Sequence, residues 1–280
     1  MPRHPRYPLA GALLAAVLLM LVYLTAFHTS LGLRVDSATL GGFAGLSRPS
    51  IDPVAQAVAE LANPQPFVVA LLALVGIALL RRRPRVALAV GVALLGANAT
   101  TQLLKPALAA PRESFGPTAH FISPAAWPSG HATASMTLAL GAVLVASRRW
   151  RPCVAALGAA FAIAVSYSFL TLQWHYPSDV LGGFLVASVW VGLGVAGVFA
   201  LERRGRVKAP ERGATPVWQA LAPVAVLLLA GLVLGGLIAF ARPEAVLSYA
   251  REHTIFLVGA ATIGALGLSL SAGLSVALRR

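Results

Sequence analysis

Acidic side chains are scarce: nine Asp and Glu in 280 residues, against 22 Lys and Arg, of which only two are lysines. Charged residues make up 11 % of the chain and hydrophobic ones 58 %, too little polarity to cover the surface of a water-soluble domain of this length. A free soluble protein is excluded, and a bilayer is the implied solvent. The formal net charge of +13 would favour nucleic acid in a soluble chain; here it is read by position, because basic residues also set membrane orientation, and no nucleic-acid partner follows. The single cysteine, Cys153, excludes an internal disulfide and has no Cys or His companions at zinc spacing. No internal repeat is evident.

What is present is a series of apolar stretches. Residues 8–27 follow Arg3 and Arg6 and lack a small-x-small cleavage site, so they read as a retained helix able to cross about 30 Å of hydrocarbon. Residues 28–52, with Gly, Ser, Pro and scattered charges, read as a loop outside the bilayer. A short surface helix is expected over 53–63, leading into a second span over about 67–80. A third span covers 86–104 and should stop near Lys105, because Pro106 disfavours helix at the residue before it. Residues 106–127 form a proline-rich loop containing Arg112, Glu113 and His120. Further spans are expected at 129–146, 153–173, 178–201, 217–241 and 255–277, the last two separated by a short loop. The predicted organisation is all-α, a polytopic membrane helix bundle with a six-span unit over 1–201, a basic linker over 202–215 and two added spans over 216–280.

Eight spans would place both termini on one side, and the cations agree with that count. The two ends and the second, fourth and sixth connections carry 16 of the 22 Lys and Arg. The alternate side carries only Arg34, Arg48, Lys105, Arg112, Arg242 and Arg251. The positive-inside rule then makes both termini cytoplasmic.

Three polar groups fall on the opposite, extracytoplasmic side. His175 and Asp179 stand four residues apart at the start of a span, where a carboxylate can fix the imidazole tautomer and sharpen the other ring nitrogen as a nucleophile; read alone, the pair equally serves as a helix cap. Pro128-Ser129-Gly130-His131 opens another span, and its free N–H groups, helix dipole and hydroxyl make an anion cradle, with His131 placed to give a proton to a leaving oxygen. Taken singly it is an ordinary Ser N-cap beside an interfacial histidine. Lys105 and Arg112 suit phosphate oxygens or, more plainly, solvent and lipid headgroups. The signal is in the set, since each group supplies what the others lack.

The pattern Lys105-x6-Arg112, then Pro128-Ser129-Gly130-His131, then Ser168-x6-His175-x3-Asp179 resembles the three-part signature of the type 2 phosphatidic acid phosphatase (PAP2) superfamily, in its bacterial membrane lipid-phosphatase branch. The run Trp174-His175-Tyr176-Pro177-Ser178-Asp179-Val180-Leu181-Gly182-Gly183 is similar over its whole length, and the resemblance extends over about 61–201. It implies a phosphatase whose His175 becomes a phosphohistidine, whose Asp179 orients it and whose His131 protonates the leaving group. Lys105, Arg112, Ser129 and Gly130 would hold the phosphoryl oxygens, with no metal and no cofactor. Two positions depart from the pattern: Glu113 replaces the usual proline after the arginine, and Phe169 replaces the arginine that usually follows Ser168.

The expected activity is metal-independent hydrolysis of a lipid phosphate or diphosphate at the outer face of the cell membrane. Polyprenyl diphosphate, phosphatidate, phosphatidylglycerol phosphate and glycosylated polyprenyl phosphates are all open as substrates. Two alternatives stand beside it: a lipid phosphotransferase using the same site, and, because of Phe169, a non-catalytic lipid-phosphate binder or transporter. Asn98, Thr100 and Thr101 are read as helix-packing polarity rather than a transport path, and His4, His28, His120 and His253 receive no role.

Overall fold

The structure, a computed structural model, describes residues 4–112, 122–204 and 216–279. It contains eleven helices and, among the described residues, no strand: α1 Arg6–His28, α2 Ser30–Ala44, α3 Asp52–Glu60, α4 Pro64–Leu80, α5 Pro84–Ala107, α6 Gly130–Val145, α7 Arg151–Thr171, α8 Pro177–Arg204, α9 Val217–Ala241, α10 Pro243–Glu252 and α11 Thr254–Ala277. Proline stands in the first turn of α3, α4, α5, α7 and α10, where its missing N–H has no helical acceptor to lose.

Six of these, α1, α5, α7, α8, α9 and α11, are long and apolar enough to cross a membrane. At the second expected span the chain forms two helices, α3 and α4, bent by 46° at the break between them. The fourth, α6, has only 16 residues, roughly 24 Å at the helical rise. It is short because it is enclosed by other helices rather than by lipid, and nearly every one of its residues is buried. Small residues make that enclosure possible. Its hydroxyls bond back into its own helix, Thr133 to the Ser129 carbonyl at 2.8 Å and Thr137 to that of Thr133 at 2.7 Å, so no polar group is orphaned by burial there.

Two stretches expected as loops are helices. Residues 28–52 hold α2, N-capped by the Thr29 hydroxyl, which accepts from the Gly32 N–H at 3.0 Å. Its glycines and charges argue against helix locally, and packing overrides them: Phe43 lies edge-on to Phe256 of α11 at 4.9 Å and against Tyr167 of α7 at 5.1 Å. The connection before the last span is α10, an amphipathic helix whose Tyr249 hydroxyl donates to the Gly42 carbonyl. A smaller difference is at α5, which runs through Pro106 to Ala107; a proline in the closing turn removes only one terminal hydrogen bond.

The last helix is built into the bundle. Tyr167 donates to the Ala260 carbonyl at 2.7 Å, Arg151 to the Leu278 carbonyl at 2.7 Å, and Ile263 is fully buried in the main core. By contrast α9 buries only Ala220 and Val224. The connections sort to two ends. At one, Arg81 and Arg83 donate to the Val145 carbonyl at 2.9 and 3.1 Å; at the other lie the carboxyl ends of α5 and α7 and the amino ends of α6 and α8.

The approach of α8 to the start of α6 depends on Gly183. A Cβ there would meet Ala132 Cβ and the Ser129 carbonyl oxygen at 2.8 Å and the Thr133 nitrogen at 2.9 Å, none of which can swing aside. The variant Gly183→Ala is therefore expected to cost about 1–3 kcal/mol of stability, read as a lowered thermal unfolding midpoint in detergent.

Candidate active site

Asp179, fully buried in the first turn of α8, is the hub of the polar end. One carboxylate oxygen accepts from His175 Nδ1 at 3.2 Å and from the Tyr176 N–H at 3.0 Å; the other accepts from Arg112 Nη2 at 2.6 Å. Because a carboxylate only accepts, the His175 proton sits on Nδ1 and its Nε2 carries the lone pair. The backbone carbonyl of Asp179 accepts from the Ser129 N–H at 2.9 Å, so the same residue fixes the amino end of α6.

That amino end is built for an anion. The Ser129 hydroxyl caps the helix by accepting from the Ala132 N–H at 3.3 Å, leaving the N–H groups of the first turn without helical acceptors. Gly130 keeps the approach open: a Cβ on it would lie 3.7 Å from Lys105 Nζ and 3.8 Å from Gln102 Nε2. Lys105 is carried there by α5, which is tied to α6 by the buried Thr101–Thr133 hydroxyl pair at 3.0 Å and to α8 by Trp190 Nε1 donating to Thr100 at 3.0 Å. Asn98 donates to the Leu94 carbonyl of its own helix at 2.9 Å. The polar residues of α5 thus serve packing and position.

The two imidazoles face each other across a gap, with ring centroids 6.4 Å apart. His131 Nε2 lies 3.0 Å from Asn63 Oδ1, an acceptor, so the ring nitrogen donates to it. Asn63 precedes Pro64 and reads in sequence as a helix boundary, yet its side chain makes no cap bond and turns to His131 instead. Phe169, also fully buried, forms one wall of the gap, 5.3 Å from the His175 ring and 5.9 Å from that of His131. Position 169 therefore faces both imidazoles. Among the described residues no group of three or more His, Cys, Asp or Glu is placed to hold a metal ion.

Arg112 is the least open of the expected phosphate ligands. Its guanidinium contacts Asp36 at 3.3 Å and Ser178 at 3.0 Å besides Asp179, and stacks between the Phe27 and Tyr176 rings. Asp36, from α2, was not singled out in the sequence, where it falls among loop-like residues. It also accepts from the Ser178 N–H at 2.9 Å and from its hydroxyl at 2.5 Å. Burial pushes the Asp36 carboxyl above the usual carboxylate range, against the pull of Arg112. Glu113 and His120 lie outside the described residues.

So His131, His175, Asp179, Lys105, Arg112, Ser129 and Gly130 converge at one end of the bundle, joined by Asn63, Asp36, Ser178 and Phe169. Residues 86–203 match the family model described as the PAP2 superfamily. That stretch runs from α5 to α8 and holds Lys105, Arg112, Ser129, Gly130, His131, His175 and Asp179. The fold is similar to the crystal structure of the first transmembrane PAP2 type phosphatidylglycerolphosphate phosphatase from Bacillus subtilis, with a TM-score of 0.51 and 20 % identity. The match covers 72 % of this chain and 99 % of that one, so the PAP2 fold here carries additional chain. No match was found among curated proteins.

The Arg112 cluster sets up a direct test of the scaffold beneath the site. Replacing Asp36 by Ala leaves a buried guanidinium with one carboxylate fewer, and a loss of about 3–5 kcal/mol is expected. Asp36→Asn, which keeps an acceptor for the Ser178 N–H, should recover part of the thermal unfolding midpoint.

Proposed function

We propose that the protein hydrolyses a phosphate or diphosphate monoester on a membrane lipid through a phosphohistidine on His175. The observation that carries this is the pair of imidazoles across one gap, the first held by a carboxylate with its Nε2 free, the second at a helix amino end beside Lys105. His175 Nε2 attacks phosphorus as the ester P–O bond breaks, and His131 gives its proton to the departing oxygen. Water then enters along the same line, His131 takes its proton, and the P–N bond breaks to release inorganic phosphate. Lys105, the Gly130 N–H and the Ser129 hydroxyl stabilise the equatorial oxygens during both transfers. Arg112 holds Asp179 and adds its positive field from behind the histidine. No step in this scheme is assigned to a metal.

A lipid substrate is supported by depth: the gap lies at the ends of membrane-length helices, where a headgroup can enter while its tail stays among them. The solved relative is named for phosphatidylglycerolphosphate, which makes that lipid the first to assay, ahead of phosphatidate and polyprenyl diphosphates. The bias of 16 of 22 cations to the opposite connections and termini supports an extracytoplasmic site with cytoplasmic termini.

Purified protein is expected to release phosphate from phosphatidylglycerol phosphate in EDTA, and His175→Ala to abolish that release. His131→Ala should slow it by roughly 10² to 10⁴. Turnover that requires added Mg²⁺ would count against the scheme.

Phe169 supplies a second measurement. It denies the phosphate one charge-assisted contact, so Phe169→Arg should lower KM by about tenfold or more, the scale of one hydrogen bond to a charged group. Lipid binding without turnover by the native protein would favour the binder reading that Phe169 raises, and labelled phosphate arriving on a second lipid would mark a transferase.

A further inference from the structure

A second cavity lies at the opposite end of the bundle from the histidines. It has a volume of about 510 Å³, within the usual range for ligand sites, and is lined by α1, α8 and α11 together with Leu140 of α6. Its walls are mostly apolar, Val195, Phe199 and Leu270 among them, and among the described residues no acidic side chain lines it. It is open space rather than loose packing: a Cβ added to Gly11 on one wall or to Gly273 on the other meets no atom within 4 Å.

One end of this apolar cavity is cationic. Arg279 and His4 line it, and Arg279 Nη1 is buried with no hydrogen-bond partner among the described residues. His4 in turn feels the charges of Arg6 and Arg203, which come from the amino end of α1 and the carboxyl end of α8. An unpartnered buried donor costs free energy unless a ligand satisfies it. An apolar slot closed by a guanidinium is complementary to a phospholipid, with its chain in the slot and its phosphate at the cation.

We infer that this cavity holds one acyl chain of an anionic phospholipid whose phosphate is bound by Arg279 and His4, a structural lipid site separate from the phosphatase centre. The source is the lipid, not free phosphate, because most of the cavity wall is hydrocarbon. The inference does not rest on the reaction proposed for His175.

The test uses the full chain, delipidated in detergent and titrated with dioleoyl phosphatidylglycerol, dioleoyl phosphatidylcholine or inorganic phosphate, with bound lipid counted by native mass spectrometry. One phosphatidylglycerol per chain is expected, held about tenfold more tightly than phosphatidylcholine and not displaced by inorganic phosphate. Arg279→Gln should bring the two lipids to within about twofold of each other. Gly273→Leu and, on the facing helix, Gly11→Leu should remove the bound lipid by filling the slot, each checked for a monodisperse elution profile. Lys105→Gln, which alters the outer site, should leave it in place. The inference is overturned if native protein holds both lipids equally, if both glycine variants keep phosphatidylglycerol at native affinity, or if Lys105→Gln loses it.

Discussion

The Asp179 carboxylate is the constraint on which the polar end of this protein depends. It holds the His175 tautomer through Nδ1, takes the Arg112 guanidinium on its other oxygen, and through its own carbonyl pins the Ser129 N–H at the start of α6. A buried carboxylate needs that many donors, because none can come from water. One residue thereby joins three distant segments, and the His175 imidazole, the amino end of α6 and the Arg112 guanidinium share a single anchor.

Close backbone approach makes the anchor possible. Gly183 lets α8 lie against the first turn of α6, and the small residues of α6 let four or more helices close around it. The site lies at helix ends and the connections beside them, joined by buried hydrogen bonds. Arg112 belongs to this bracing. Its two carboxylate partners and two aromatic faces immobilise it, so its charge acts on the gap from a fixed place.

Phe169 changes the electrostatics of the gap while keeping its shape. The ring packs against both imidazoles and excludes water from one wall, but it brings no positive charge to a multivalent anion. Lys105 is left as the cation beside Gly130 at the amino end of α6. At the far end Arg279 stands at a slot lined mostly by hydrocarbon.

Much of the membrane character was readable in one dimension, because long apolar runs and proline at helix starts report local physics. The three motif groups were readable as well: Lys105, Ser129, Gly130, His131, His175 and Asp179 stand out as polar residues in an apolar chain. Helix α2 was not, since its glycines and charges resemble a loop and only contact with α7 and α11 makes it helical. Asp36 was hidden with it. Asn63 was hidden as well, since it falls at the end of the surface helix expected over 53–63 and only the packing of α6 brings His131 to it. Hydropathy and chemical type, which belong to the residue, were enough to mark the apolar helices and the side chains able to handle a phosphate. Only the tertiary structure decided that Arg112 is bound by two carboxylates, that Asn63 faces His131 and that residue 169 faces the gap, because those relations exist only once helices far apart in the chain pack together.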